Sequence, residues 1–152
     1  MTAMLIVVHG DPVQGTDTHK VTGTLPDGSP YTGKGSFTYT GSMTDGLSDF
    51  VRVGGHPVAL ASSQSSLDPG EIAPGGSHSG PKGTDFDPAG PNVLSLSIVD
   101  TPLGTGSPAA DAGSAFVTIG GTPVLLDGDP VDSCGGHSTV TAAGQSFVTC
   151  AE

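Results

Sequence analysis

Short runs in which every second residue is apolar dominate this chain, and they end at glycine or proline. One pattern, apolar–x–apolar–x–Gly–x–Pro–Val, occurs three times, at residues 6–13, 51–58 and 117–124. A period-two apolar run predicts a half-buried strand. Glycine then permits a tight turn, and proline interrupts regular pairing. We therefore interpret each copy as a strand, a turn and the start of a returning strand.

The second and third copies match beyond this pattern at one constant offset, for example at Phe50 and Phe116 and at Leu60 and Leu126. Three such hairpins predict an object with a pseudo-threefold axis. The 152 residues suit one domain, and 25 Gly and 13 Pro indicate many turns. We expect a single all-β domain over residues 1–152, built of β-hairpins with almost no helix.

Aromatic residues are few: there are five Phe, two Tyr and no Trp. A large aromatic core is therefore excluded, and close strand packing, a metal, a disulfide or a partner must stabilise the fold. Residues 14–33 are polar and carry a turn signal at Leu25-Pro26-Asp27-Gly28. Residues 62–92 show no periodicity. So long an irregular stretch in a small domain is usually functional or held in place by something.

The net charge is −11, with only four Lys and Arg residues. Nucleic acid and anionic membrane surfaces need clustered basic residues, so we expect neither as a partner. No segment has the roughly 20 apolar residues of a membrane helix. The apolar run 4–8 is too short for a signal peptide core. We expect a protein made in the cytoplasm, and exported, if at all, by a route that reads no such signal.

Histidine and cysteine are the candidate metal ligands. Zinc binds Cys sulfur and His nitrogen in closed tetrahedral sites, which add folding free energy to a small core. Cys134 and Cys150 could instead form a disulfide or remain free thiols. A His in a glycine-rich loop is usually solvated. The candidate ligands, spread over the segments that follow the three repeats, are His19, His78, Cys134, His137 and Cys150.

Catalytic patterns are missing. The chain has no Gly-x-Ser-x-Gly elbow and no glycine-rich phosphate loop with lysine. We therefore expect a protein that is not an enzyme.

The repeats and ligands together resemble the PAAR-repeat proteins, which cap the spikes of contractile injection machines such as type VI secretion systems, extracellular contractile particles and phage tails. The family motif has the form Val-x-Val-x-Gly-x-Pro-Ala-Ala. Residues 51–59 and 117–125 stand in its place, with Val58-Ala59 and Val124-Leu125 replacing Ala-Ala. The chain is thus similar to a PAAR-like member.

The resemblance implies a short cone whose broad base sits on a homotrimeric, VgrG-like spike protein. It implies one structural zinc near the sharp end, held by His19, His78 and Cys134, with His137 or Cys150 as fourth ligand. It also implies assembly in the cytoplasm into a particle that is delivered outward on firing, possible effector cargo and no stable membrane association. We expect the spike to contact the repeat strands at Val51, Val53, Val117 and Ile119. The alternative is that these four side chains only fill the interior.

The resulting hypothesis is a non-enzymatic spike tip that sharpens a trimeric spike for piercing a target envelope. One alternative is a free-standing β-domain that binds a glycan or another extracellular ligand, with a Cys134–Cys150 disulfide; the absence of Trp argues against it. A third reading is a small hydrolase whose zinc keeps an open coordination position.

Overall fold

The computed structural model describes residues 3–67, 84–89, 93–100 and 104–151. These residues contain β-strands and no helix, which confirms the all-β prediction. Accordingly, none of them forms a helix long and apolar enough to span a membrane. The strands are β1 (Ala3–Leu5), β2 (Pro12–Thr24), β3 (Pro30–Asp45), β4 (Arg52–Val53), β5 (His56–Pro57), β6 (Gln64–Leu67), β7 (Thr84–Asp87), β8 (Leu94–Ile98), β9 (Thr105–Pro108), β10 (Thr118–Ile119), β11 (Thr122–Pro123), β12 (Pro130–Ser133), β13 (Gly136–Val140) and β14 (Thr149–Ala151).

Six strands close into an antiparallel ring. The ring runs β2–β3–β6–β9–β12–β13 and returns from β13 to β2. It consists of three strand pairs, β2 with β3, β6 with β9 and β12 with β13, and each pair follows one sequence repeat. Closure gives every ring strand a neighbour on both sides, which removes exposed sheet edges.

Three two-stranded antiparallel pairs stand at one end of the ring: β4–β5, β10–β11 and β1–β14. The first two are hairpins joined by a turn, and the third, which has the same pairing without a turn, is called the third hairpin. The first two turn through Gly54-Gly55, with φ of 59° and 85°, and Gly120-Gly121, with φ of 58° and 86°. Two consecutive residues in the left-handed region make the turn that matches the twist of paired strands. The hairpins predicted over residues 51–58 and 117–124 are confirmed.

The hairpin predicted within residues 6–13 is wrong. The third hairpin joins the two ends of the chain, with Leu5 opposite Thr149 as Pro57 is opposite Arg52. The first repeat is therefore split, and Gly10 corresponds to Gly128 at the start of a ring strand. The strand residues that match Phe50 and Phe116 of the other repeats begin at Phe147. The continuous pattern at residues 6–13 therefore does not mark the third hairpin.

The three repeats meet in a closed cycle of backbone hydrogen bonds. The amide of Val7 donates to the carbonyl of Leu125, that of Leu125 to Ala59, and that of Ala59 to Val7, each at 2.9 Å. Three isolated bridges, Ile6 with Leu126, Val8 with Val58 and Leu60 with Val124, repeat the same rotation. The repeats are therefore related by a pseudo-threefold axis.

Three apolar clusters are stacked along the ring, because alternate side chains of each central strand point to opposite sides. The base cluster, under the hairpins, contains Ile6, Val8, Val53, Val58, Val124 and Leu126. The ring cluster contains Val7, Val13, Tyr39, Met43, Ala59, Ala112, Leu125, Val131 and Val140. The distal cluster, at the far end, contains Val21, Tyr31, Phe37, Leu96 and Ile98.

One strand pair is much longer than the other two. Strand β2 pairs with β13 from Val13 to Asp17, and then with β8 from Val21 onward. Strand β3 pairs with β6 near its end and with β7 at Lys34 and Ser36. The ring thus gives way, just after Asp17, to a single long hairpin flanked by β7 and β8. The candidate site lies at this transition.

Candidate functional site

Two buried polar side chains stand on one face of β2 where the ring ends. Asp17 and His19 are two residues apart, so they point to the same side of the strand. Their exposed fractions are 0% and 1%, whereas Thr18 and Lys20 are exposed. Buried groups of this kind require hydrogen-bond or ionic partners.

Cys134 reaches this pair from the turn between β12 and β13. Its Sγ donates to Asp17 Oδ2 at 3.1 Å and lies 3.6 Å from His19 Nε2. The three potential ligand atoms lie within 4.8 Å of one another, and no other such group occurs in the part of the chain that the structure describes. Asp17, His19 and Cys134 form a candidate metal-binding group.

The turn that carries Cys134 can approach β2 because glycine follows it. A Cβ atom at Gly135 would lie 2.8 Å from the Thr18 carbonyl oxygen and 3.0 Å from His19 Cε1. The Gly135 carbonyl in turn accepts a hydrogen bond from the Thr18 amide at 3.0 Å. Any side chain at this position would push Cys134 away from its two neighbours.

Further contacts fix the orientation of both β2 side chains. Asp17 Oδ1 accepts a hydrogen bond from the Ser133 hydroxyl. His19 Nδ1 lies 3.0 Å from Asp100 Oδ1, and the His19 ring packs against the Phe37 ring at a centroid distance of 5.9 Å. These contacts orient Nε2 of His19 and Oδ2 of Asp17 toward Cys134 Sγ.

The environment favours the protonated form of His19. The hydrogen bond with Cys134 raises the pKa of the imidazole above its ordinary value of 6.5, and burial opposes this rise. The charge of Asp100, and that of Cys134 when it is a thiolate, raise this pKa further. Negative charge thus dominates the group, and a cation, whether a proton or a metal ion, is stabilised there.

The donor set fits a divalent transition metal. A nitrogen and a sulfur ligand about 2.0 and 2.3 Å from a tetrahedral ion lie roughly 3.5 Å from each other. The distance between His19 Nε2 and Cys134 Sγ is 3.6 Å, which fits this geometry. A carboxylate and a thiolate also balance the two positive charges of the ion, so a buried ion at Asp17 and Cys134 would leave no net charge.

The structure separates the five predicted ligands. His19 and Cys134 lie together, and His78 lies outside the described residues. His137 is not in the group: its side chain is 86% exposed and pairs with Asp132 at 2.7 Å. Because side chains alternate along β13, Ser138 points inward and His137 points outward. The Cys134-x-x-His137 spacing therefore does not bring the two side chains to one site.

Cys150 is also remote from the group. It lies in β14 opposite Met4 and packs against the base cluster. Both cysteines are free, so the disulfide of the alternative hypothesis is not formed. The member of the candidate group that sequence reasoning missed is Asp17. The Asp-x-His spacing was its signal, but residues 14–33 were interpreted as a polar segment instead of a strand.

The hairpin end presents three equivalent aromatic side chains. Phe50, Phe116 and Phe147 are 75%, 61% and 69% exposed. The amide of each donates to the side chain two residues earlier, namely Ser48, Ser114 and Gln145. The four residues predicted to contact a spike are less exposed than these phenylalanines. Val53 is buried, and Val51, Val117 and Ile119 are partly buried against the base cluster.

Comparisons with protein-family models, with curated proteins and with solved structures found no match for this chain.

Proposed function

We propose that this protein is a PAAR-like spike tip: a non-enzymatic cap that binds the end of a homotrimeric spike in a contractile injection machine and sharpens it for piercing an envelope. The observation that carries the proposal is the pseudo-threefold hairpin end with one exposed Phe from each repeat. The proposal extends to assembly in the cytoplasm and outward delivery on firing.

Symmetry is the first argument. A homotrimer ends in three identical surfaces around an axis, and a single chain can engage all three only if it offers three similar surfaces. Here the same three backbone hydrogen bonds, from Val7, Ala59 and Leu125, relate the three repeats. One chain can therefore cap one trimer, with equivalent contacts at each third of the interface.

Exposed apolar surface is the second argument. Three phenylalanines on one end of a small protein are costly in water and are typical of an interface. Aromatic side chains also supply much of the affinity at protein interfaces. The interface residues we propose are therefore Phe50, Phe116 and Phe147, and the four aliphatic residues of the strands support them from below.

The metal has a structural role in this proposal. We propose zinc, held by Asp17, His19 and Cys134, with His78 still the predicted fourth ligand. Two of these side chains are fully buried, which suits a structural ion better than an ion that must admit a substrate. When bound, zinc supplies a cross-link between β2 and the β12–β13 turn at the end of the ring.

Native mass spectrometry of the protein co-expressed with a homotrimeric spike from a contractile system of its source genome tests the proposal. We expect one copy per trimer. A complex with three copies, or none, would overturn it.

The matched variants are Phe116→Ala and Leu94→Ala. Leu94 is 54% exposed, but it belongs to β8 and pairs with Thr24 at the distal end of β2, away from the hairpins. We expect the first change to weaken spike binding at least tenfold, as for a hot-spot aromatic, and the second to leave it unchanged. Equal effects would exclude the hairpin end as the interface.

A further inference from the structure

The side chain of Asp100 makes two contacts with β2 in addition to the backbone pairing of β8 with β2. Its Oδ1 lies 3.0 Å from His19 Nδ1, and its Oδ2 accepts the Lys20 amide at 3.0 Å. Asp100 follows β8, whose pairing with β2 continues through a hydrogen bond from the Val99 amide to the Lys20 carbonyl at 2.9 Å. One carboxylate thus joins the end of β8 to a member of the metal-binding group.

The geometry points to Asp100 as the positioning residue of the metal centre, and we propose that it holds His19 in the tautomer and orientation that binds the ion. The inference rests on the metal site of the proposed function. With Asp100 accepting the Nδ1 proton, the lone pair of Nε2 faces Cys134 and Asp17. Histidines that bind metals commonly donate their other ring N–H to such a carboxylate, which also raises their basicity.

A carboxylate in this position links two parts of the fold. Asp100 belongs to the segment between β6 and β9, whereas His19 and Asp17 belong to β2. Metal binding and the pairing of β8 with β2 are then coupled, and the coupling is reciprocal. An ion at the centre stabilises the distal end of the protein, and docking of β8 prepares the centre for the ion.

The chain provides a matched control. Asp132 pairs with His137 at 2.7 Å, so it is a second Asp–His pair, but both side chains are more than half exposed and His137 is outside the metal-binding group. Asp132→Asn and Asp100→Asn therefore make the same chemical change beside a histidine. Only the second should alter the metal centre.

The first measurement is metal affinity, with Zn²⁺ alone in competition with a chromogenic chelator. We expect Asp100→Asn to lower the affinity about 10- to 100-fold, the range for loss of such outer partners. Asp132→Asn should stay within twofold of the parent protein. Co²⁺ should show thiolate charge-transfer bands in the parent and a shifted ligand-field spectrum in Asp100→Asn.

The second measurement needs no metal. Nitrogen-15 NMR of metal-free protein, at a pH where His19 is neutral, should show the proton on Nδ1 in the parent and a mixture of tautomers in Asp100→Asn. A parent proton on Nε2 would overturn the inference, as would unchanged Zn²⁺ affinity in Asp100→Asn. If the parent binds no Zn²⁺ but keeps the proton on Nδ1, the metal site fails and Asp100 is reduced to a structural partner of His19.

Should Asp100→Asn fold poorly, Asp100→Glu keeps the test decisive. It retains the carboxylate, so a recovery of both Zn²⁺ affinity and the Co²⁺ spectrum supports positioning. Folded protein with neither recovered would contradict it.

Discussion

The two ends of this protein are built on different principles. At the hairpin end the contacts that hold the backbone occur three times: the amides of Val8, Leu60 and Leu126 each donate to the side chain three residues later, Asp11, Ser63 or Asp129, at 2.8 Å. The distal end shows no such repetition among the described residues. One long hairpin extends from the ring, and the one candidate metal-binding group found in this part of the chain draws on β2 and the β12–β13 turn.

The two ends should tolerate substitutions to different degrees. A repeated interaction can be weakened in one unit while the other two remain, and the second repeat already uses Ser where the others use Asp. The candidate metal-binding group has no second copy among the described residues, and two of its three side chains, Asp17 and His19, are buried. We therefore expect single substitutions to have their largest effects at the ring's far end and smaller effects among the repeats.

His19→Ala should have the largest effect. It removes one proposed zinc ligand and leaves the buried Asp17 carboxylate without its ion, a situation that typically costs about 3–5 kcal/mol of unfolding free energy. Zinc content by elemental analysis should fall from about one ion per chain to near zero, and the melting temperature should fall with it.

The control for this change is His137→Ala, because His137, unlike His19, has an exposed side chain. Its effect should stay within about 0.5 kcal/mol, as for most surface substitutions. If both variants keep their zinc, or if purified parent protein never exposed to chelator contains no transition metal, the metal centre is wrong.

Gly135→Ala should come next. The added Cβ would meet the Thr18 carbonyl and the His19 ring, so the turn must move and Cys134 must move with it. Overpacking of this kind costs about 1–3 kcal/mol. Isothermal titration with Zn²⁺ should show a loss of affinity of tenfold or more, while the hairpin end keeps its binding to the spike. A loss of spike binding alone would reverse the roles assigned to the two ends.

The pH dependence should show opposite signs with and without metal. A raised pKa at His19 stabilises the metal-free fold below the unfolded value of 6.5, and this contribution is lost as the pH rises through the folded value. Zinc needs the neutral imidazole, so its affinity should fall about tenfold per pH unit below the folded pKa.

Urea unfolding of both forms across pH 5.5 to 8 measures this contrast. The stabilisation that zinc gives should grow with pH in the parent and vanish in His19→Ala, which lacks one of the proposed ligands. Zinc stabilisation that stays constant over this range would show that His19 is not a ligand.

Much of the hairpin end could be predicted from the sequence because its signals are local. The strand alternation and the Gly-Gly turns at Gly54 and Gly120 lie within a few residues of one another, and the threefold occurrence of the pattern predicted the pseudo-threefold axis. The third hairpin could not be found in this way. Its strands, around Met4 and Cys150, are at opposite ends of the chain, and only the closed fold brings them together.

The metal-binding group was predictable only in part. Residue chemistry identified His19 and Cys134, but the choice among five candidates depends on which strand face each side chain occupies. Burial depends on register, and register is set by pairing between strands distant in sequence. Asp17 was missed because a 13-residue strand containing Gly, Thr and Lys carries little apolar periodicity until its partners are known.

The smallest effect should come from a serine substitution within the repeats. Asp129 Oδ2 accepts the amides of Leu126 and Gly113 at 2.8 and 2.9 Å. In the second repeat, Ser63 Oγ accepts the equivalent Leu60 amide. Asp129→Ser should therefore keep one of the two bonds and cost about 1 kcal/mol, whereas Asp129→Ala should lose both and cost about 2–3 kcal/mol. Chemical denaturation of the zinc-loaded protein separates the two values. If serine proves as costly as alanine at this position, the repeats are not interchangeable, and the symmetry of the backbone does not extend to the side chains that hold it.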